Sequence, residues 1–596
     1  MRRRTFLTGT AASAAFALSG PELALGRMQG RDATTVALLT QAADRLAAEV
    51  LEGLERSGAG MGGARGTLRQ LRRLFTPYIW PDSRYHHSAA LEGPMETLLS
   101  RVEAAQHDDG TFSGGNRHSP PDSAFLMEDM GAMTEAAEGI RHPVVRAISD
   151  RLAAMMRKAG PALRTGGIHT PNHRWELSAA LARIDRVDPN PAYRARIDEW
   201  LAEGVDINAE GIYSERSSNY AQAVSNPSLL RLARLPGLEG LKQLVRRNLE
   251  TTIDMAEPTY GDVETIYSRR QDQAQSRQTL HTYYLQYREL AQDFDDRRFA
   301  GVVRWIEQHD SSQLGDALAD VLDHPKLAGP IPSPVQPFVD LQRYFRTVNL
   351  VRERRGDMTA SFYAGSDWFE NGEPSRFYNT IGSGLATNPT LMRLWKGPLV
   401  IDAIRVIPDF FSMGHFRPSH IALSDDGAVT LSGEMKVPYY LPMPAERRDP
   451  DGAYALSRSV DGRFNSALDF SHRPAHFRRL AIQMVARPQA DGYALDFITD
   501  GEAEVDIAIE VTLRPGGTLT GVQEVSGVGA ILTGAEASYT VGGQTLRLGP
   551  GGSDAMPRVS SGEQYSWAGG RLNLAGEKVY ITGQTPFSHT LRLAFD

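Results

Sequence analysis

The hydrophobic period changes once along this chain, and that change sets what the chain can fold into. From residue 32 to about 320, apolar residues recur three and four apart, as in ATTVALLTQAADRLAAEVLEGLER, HPVVRAISDRLAAMMRKA and LKQLVRRNLETTIDMA. That spacing lays one apolar stripe along each helix. Beyond residue 345 the period is two. Val505, Ile507, Ile509, Val511 and Leu513 alternate with Asp506, Ala508, Glu510 and Thr512, the pattern of a strand with one buried face. ALDFIT, SYTVGGQTLRL, KVYITG and HTLRLAF behave alike, with Gly-rich turns between them. Five prolines fall within residues 321–345, so residues 326–345 are expected to be a linker. A run of helices followed by a run of strands predicts an α+β multidomain chain, all-α first and antiparallel β after.

The chain is 596 residues long, enough for four average domains or two large ones. With 41% hydrophobic and 23% charged residues, it is neither disordered, collagenous nor a polytopic membrane protein. It has no cysteine, which excludes a disulfide framework, a Cys-based zinc site and a thiol nucleophile. A formal net charge of −8 argues against nucleic acid as the main partner. Of the 64 Lys and Arg residues only six are Lys, and arginine grips carboxylates in a planar, bidentate way.

The first ten residues, MRRRTFLTGT, followed by AASAAFAL, have the look of a twin-arginine export signal over residues 1–30. Its apolar segment is too short to span a bilayer. The expected location is periplasmic or extracellular, with no membrane span in the mature chain.

Within the helical half, loops rich in Gly, Pro, Asn and His recur about every 50 residues, one helical hairpin apart. The richest is GGIHTPNHRWELSAALA, residues 166–182. Thr170 reads as an N-cap and Pro171 as the first helical position, which puts Asn172 and His173 in the first turn. Glu176 follows on the face of His173. Free N–H groups, an amide, an imidazole and a carboxyl at a helix start suit a substrate carboxylate. His169 and His173 also have a metal-ligand spacing, which Pro171 between them disfavours.

The loop 206–229 holds Tyr213, Glu215, Arg216 and Tyr220. A phenol with its usual pKa of about 10 is a poor base, and a neighbouring cation such as Arg216 makes it more usable. The loop 107–122 offers Asn116 and Arg117, and the loop 257–272 offers Arg269 and Arg270, each suited to an anionic chain. In the β half, His415, Arg417 and His420, with His472 and His476, raise a structural divalent metal as an option.

Taken together these segments resemble the heparinase II/III-like polysaccharide lyases and, more loosely, the chondroitin and hyaluronate lyases. Asn172-His173-x-x-Glu176 is similar to that family's carboxylate-neutralising group. Tyr213-x-Glu215 followed by Tyr220 is similar to its tyrosine-bearing loop. Arg216 and Ser217 stand where relatives have glycine and a small residue, and one extra residue precedes the tyrosine, so Tyr213 stays an alternative to Tyr220. The resemblance implies an incomplete α/α toroid over residues 31–325 as the catalytic domain and an antiparallel β-sandwich over residues 346–596. It implies β-elimination next to a uronic acid of an anionic polysaccharide. Asn172, with His173 or Glu176 protonated, would neutralise the carboxylate. Tyr220 would move the proton, or His173 if proton and leaving group lie on opposite faces. Asn116, Arg117, Tyr213, Glu215, Arg216, Arg269, Arg270 and His415 would hold the chain, and no organic cofactor would be required.

Two other classes fit parts of the sequence. A toroidal glycoside hydrolase needs two flanking carboxyls, drawn from Asp108 or Asp109 with Glu215 or Glu264. A non-catalytic glycan-binding protein would use Trp80, Trp175 and Trp200 as stacking platforms.

Overall fold

The computed structural model describes residues 30–57, 62–274, 277–309, 311–367, 384–462, 465–526, 528–552 and 574–596, with residues 369–370, 373–374 and 559. The export-signal expectation lies almost wholly outside the described residues. No described helix is long and apolar enough to cross a membrane. The chain forms two compact units. The first runs to Glu203 and adds Ala291–Asp296 and Glu307–Pro332; the second holds Gly204–Leu290, Arg297–Ile306 and Ser333–Asp596. The division falls within the helical half, after Glu203, and again among the prolines, between Pro332 and Ser333.

In the first unit α1 (Ala33–Ser57), α2 (Gly63–Ile79), α3 (Ala89–Ala104), α4 (Pro120–Ala136), α5 (Pro143–Thr165), α6 (His173–Val187) and α7 (Pro191–Ala202) follow one another. Helices α2, α4 and α6 pack side by side, and each also packs against the next helix in sequence, α3, α5 or α7. This makes two rows of helical hairpins. The burial pattern explains which helices are central. Helix α5 buries one stripe (Val145, Ile148, Leu152, Met155, Met156, Ala159, Leu163), whereas α4 and α6 are buried on nearly every face. Close packing of α4 on α6 needs Gly131, where a Cβ would lie 2.2 Å from Arg183 Cδ. The buried Arg183 guanidinium binds Glu128 at 3.2 Å, Glu135 at 2.9 Å and Asp323 at 3.0 Å. Charge removed from water requires such pairing.

In the second unit, two large sheets follow a group of helices. The strands are β1 (Leu341–Phe345), β2 (Leu350–Arg355), β3 (Met358–Tyr363), β4 (Met392–Lys396), β5 (Leu399–Pro408), β6 (His420–Leu423), β7 (Val429–Tyr440), β8 (Ala475–Gln489), β9 (Gly492–Gly501), β10 (Asp506–Leu513), β11 (Thr518–Thr520), β12 (Gln523–Val525), β13 (Gly529–Ile531), β14 (Ala537–Val541), β15 (Gln544–Gly549), β16 (Glu577–Gln584) and β17 (Ser588–Phe595). One sheet has the order β12-β13-β16-β10-β5-β4-β3-β2-β1, the other β6-β7-β8-β9-β17-β15-β14-β11. Pairing is antiparallel except between β13 and β16. Val351, Phe362, Leu394 and Ile404 of the first sheet share one apolar core with Leu431, Leu480, Leu495 and Leu593 of the second. That is the sandwich expected from the period-two pattern.

One expectation is refined and one needs correction. Residues 326–345 are tied down along part of their length, where arginines take up backbone carbonyls: Arg298 Nε donates to Pro337 O at 2.9 Å and Arg297 Nε to Ser333 O at 3.0 Å. The segment then ends in β1, at the edge of a sheet. Strand β10 was read as buried on one face only, yet it lies fourth in a nine-stranded sheet and is buried on both. Ala508 packs with Ile407, Ile531 and Tyr580, and Glu510 accepts from the Tyr580 hydroxyl at 3.0 Å, with Arg405 at 3.5 Å. A charged residue in alternation thus marked a buried ion pair, not a wet face.

Candidate active site

The four polar loops meet in two pairs, one in each unit. In the first unit, loop 107–119 meets loop 166–173. Asn116 Nδ2 lies 3.3 Å from His169 Nε2, and the His169 and His173 rings meet edge-on at 4.6 Å. The neighbouring Arg117 is exposed. Asn172 is 1% exposed, His173 8% and Glu176 3%. The helix starts two residues later than expected. Thr170 and Pro171 form a turn, and Asn172 is the N-cap residue with its side chain not capping. The N–H of His173 donates to Thr170 O and that of Arg174 to Pro171 O. These donors are spent on the turn, so the anion seat of free N–H groups expected here is not formed. Below the cap, Arg65 lies over the Phe125 ring at 3.8 Å and feels the charge of Glu176.

In the second unit, loop 206–220 is stitched to loop 257–273. Arg269 N donates to Glu215 O at 3.0 Å. Asp272 is the staple between them: one carboxylate oxygen accepts from Ser217 Oγ at 2.9 Å and from Asn219 N at 3.3 Å, and the other accepts from Ser268 Oγ. Burial raises its carboxyl above the usual range, and these three donors only partly offset it. Ser217 in turn caps the backbone N–H of Tyr220 at 3.1 Å, and Ser268 Oγ accepts from Arg270 N at 3.0 Å. The staple therefore sets Tyr220 and Arg270 from both sides. Nothing in the spacing of Asp272 within SRRQDQ sets it apart from a solvated turn residue, and the sequence reading missed it.

The result is a phenol beside a cation. Arg270 Nη2 donates to Tyr220 Oη at 3.1 Å, and its guanidinium lies over the tyrosine ring at 4.5 Å. Arg270 Nη1 is 3.5 Å from Glu215 Oε1. Tyr220 is half-buried and opens a helical run that passes through a π-turn, Ala221–Ser225, an irregularity frequent at functional sites. The arginine beside the phenol is Arg270, not the expected Arg216. Arg216, in left-handed backbone at φ 53°, donates to Gly365 O at 3.2 Å and lies 3.9 Å from Asp367. Arg269 clamps Asp367 bidentately at 2.7 and 2.9 Å. Burial would raise the Asp367 carboxyl, but Arg269 and Arg216 outweigh it and hold it below its usual range. Both arginines are thus engaged within the protein.

Tyr213 is fully enclosed. Its hydroxyl donates to Asn226 Oδ1 at 2.8 Å, and Asn226 passes the chain to Asn248 Oδ1 at 2.9 Å. Burial pushes its phenol well above the ordinary value, which removes it as a proton carrier. His415 joins the Tyr220 side through hydrogen bonds. Gln273 N donates to Arg270 O, Thr387 N donates to Gln273 Oε1 at 2.9 Å, and Arg417 donates to Thr387 O at 2.6 Å and to His415 O at 3.3 Å. No group of three His, Cys, Asp or Glu able to hold a metal occurs among the described residues; His472 is bonded to Asp469 at 2.8 Å and His420 to Ser419 at 2.8 Å.

The rival classes lose some of their residues, while Asp108, Glu215 and the half-buried Trp200 remain open to them. Glu264 is fully buried against Arg393 at 3.0 Å and Arg352 at 3.7 Å; burial would raise its carboxyl, but those cations hold it low. Hydrogen bonds from Thr111 hold Asp109 down at about 2. Neither suits a glycosidase acid, which needs a raised pKa. Trp80 and Trp175 are 1% and 0% exposed and present no stacking face.

No family model matches the chain, and no curated protein matches it. Among solved structures it is similar to a mutant of the heparan sulfate lyase HepC from Pedobacter heparinus, at 10% identity and TM-score 0.48 over 89% of this chain and 76% of that one. It is similar to heparinase III at 12% identity and TM-score 0.47, over 89% and 75%. It is also similar to a Paenibacillus xanthan lyase at 12% identity and TM-score 0.41, over 97% and 57%.

Proposed function

We propose that this protein is an exported polysaccharide lyase that cleaves a uronate-containing glycan by β-elimination. The observation that carries the reading is the Tyr220 phenol held by the Arg270 guanidinium at 3.1 Å on loops locked by a buried carboxylate. Negative charge that forms on the phenol oxygen during proton transfer is met there by a positioned cation. A rigid mount keeps the oxygen within reach of one substrate proton.

The reaction breaks the C5–H bond of the uronate. Its electron pair becomes the C4–C5 double bond, and the C4–O bond to the leaving sugar breaks with its pair going to oxygen. Tyr220, as the phenolate, takes the C5 proton and returns it to the leaving oxygen. Loss of the C5 proton places charge on the adjacent carboxylate. The developing charge needs donors already in place, the part that the sequence reading gives to Asn172 and His173. Arg270 and Glu215 fix the phenol. Arg216 and Arg269 act through Asp367, keeping the loop that carries Tyr220 in register.

The test is incubation with a panel of uronate polysaccharides, following ultraviolet absorbance of the unsaturated product alongside reducing ends. Both are expected to rise together. Reducing ends without absorbance would make the protein a hydrolase, and neither signal would leave it a binder.

A further inference from the structure

The second unit contains a cavity of mixed charged and apolar lining that the elimination chemistry does not use. Its volume is about 350 Å³, and its wall includes Asp262, Arg277, Gln278, Arg393, Asp402 and Arg514. That size falls within the range of small-ligand sites. The wall is an alternating chain of charges. Arg277 Nε binds Asp262 at 2.9 Å, Arg514 Nη1 binds Asp262 at 2.7 Å, Arg514 Nη2 binds Asp402 at 2.8 Å, and Arg393 Nη2 binds Asp402 at 2.9 Å. Three arginines thus alternate with two aspartates, and Arg393 also binds the buried Glu264 at 3.0 Å. Asp402 is held below the usual carboxylate range because Arg393 and Arg514 outweigh its burial, so the chain stays ionised and rigid.

The mouth differs from the wall. Arg277 is half exposed, and its guanidinium lies over the ring of Tyr260 at 5.5 Å. Tyr260 is 38% exposed, one of the few large aromatics presented to water. Gln278, next in sequence, also lines the cavity. A planar cation and an amide on the cavity wall, with an exposed aromatic ring beside the cation, are groups that receive an acidic sugar: carboxylate on guanidinium, ring on ring, hydroxyls on amide and aspartate.

We infer that this cavity is a second glycan-binding site, which takes one uronate unit at Arg277, Gln278 and Tyr260. The ligand class rests on the lyase reading above; the site itself does not. The test titrates the full chain carrying Tyr220→Phe, so that no glycan is consumed, with tetrasaccharides of hyaluronan, alginate and heparan sulfate by calorimetry. The expected result is a binding event weakened about tenfold or more by Arg277→Ala and by Gln278→Ala, and kept when Arg270→Ala is introduced instead. Gln278→Ala breaks no ion pair, so its unchanged thermal unfolding separates lost binding from lost fold. Absence of binding by all three tetrasaccharides, or binding that both cavity variants leave intact, overturns the inference. Failure of the lyase reading registers elsewhere, as absent ultraviolet product from the wild-type chain on the corresponding polymers.

Discussion

The two loop pairs solve the same mechanical problem with different materials. Around His173 the loops are joined through an amide, Asn116 to His169, and each is braced by rings, His169 edge-on to His173 and His107 stacked on His118 at 4.0 Å. Around Tyr220 they are joined by carboxylates: Asp272 holding two serines, Glu215 near Arg270, Asp367 in the fork of Arg269. Soft dipoles suit a place where a ligand brings its own charge. Ion pairs suit a place where charge is made and unmade during a reaction, because fixed ions need not reorganise when it does.

The sharpest way to break this contrast is Tyr220→Phe. Removing the phenol oxygen is expected to lower kcat by about 10²–10⁴ with unchanged thermal unfolding, measured as the initial rate of absorbance rise. Full activity would sink the assignment. Asn172→Ala tests the other pair. A loss of about 10²–10³ in kcat is expected if the amide steadies the developing charge, whereas a rise in KM alone would make it a simple binding group.

Asp272→Asn probes the staple. It keeps the shape and removes the charge, and about a tenfold fall in kcat is expected as Tyr220 and Arg270 lose register. It also carries a pH signature. Burial raises the folded-state carboxyl of Asp272, so its favourable contribution is present below the unfolded value and is lost as pH rises through the folded one. The stability of wild type relative to Asp272→Asn should therefore fall between acid and neutral pH in denaturation midpoints; an opposite slope would mean that the three donors win over burial. The smallest effect is expected at Tyr213→Phe, where one buried hydrogen bond to Asn226 is lost. That costs about 1 kcal/mol of stability in a denaturant titration and leaves kcat unaltered.

The order of helices then strands could be read from the sequence because periodicity records burial, and burial dominates both halves. The sandwich strands could be read for the same reason. What could not be read were features set by packing at a distance. Glu510 alternates like a surface residue but pairs with Arg405 from another strand. Arg183 carries no mark of the three acids it gathers. In the candidate site, Tyr220 stood out because aromatic, acidic and basic residues crowd its loop, but its actual partner comes from fifty residues further on. Thr170-Pro171 had the composition of a helix start, and the helix instead starts after Asn172. Trp80 and Trp175 had the composition of sugar platforms, and their size took them into the core.

Gln273 has a consequence for how such a protein changes over time. Its amide reads Leu385 and Thr387, its carbonyl accepts from Asn388, and its own N–H hangs from Arg270. A shift of the backbone at residues 385–388 therefore reaches the backbone of Arg270 through Gln273 without altering any reactive group. Preference for one glycan over another can drift at that remote handle while the chemical apparatus is inherited unchanged.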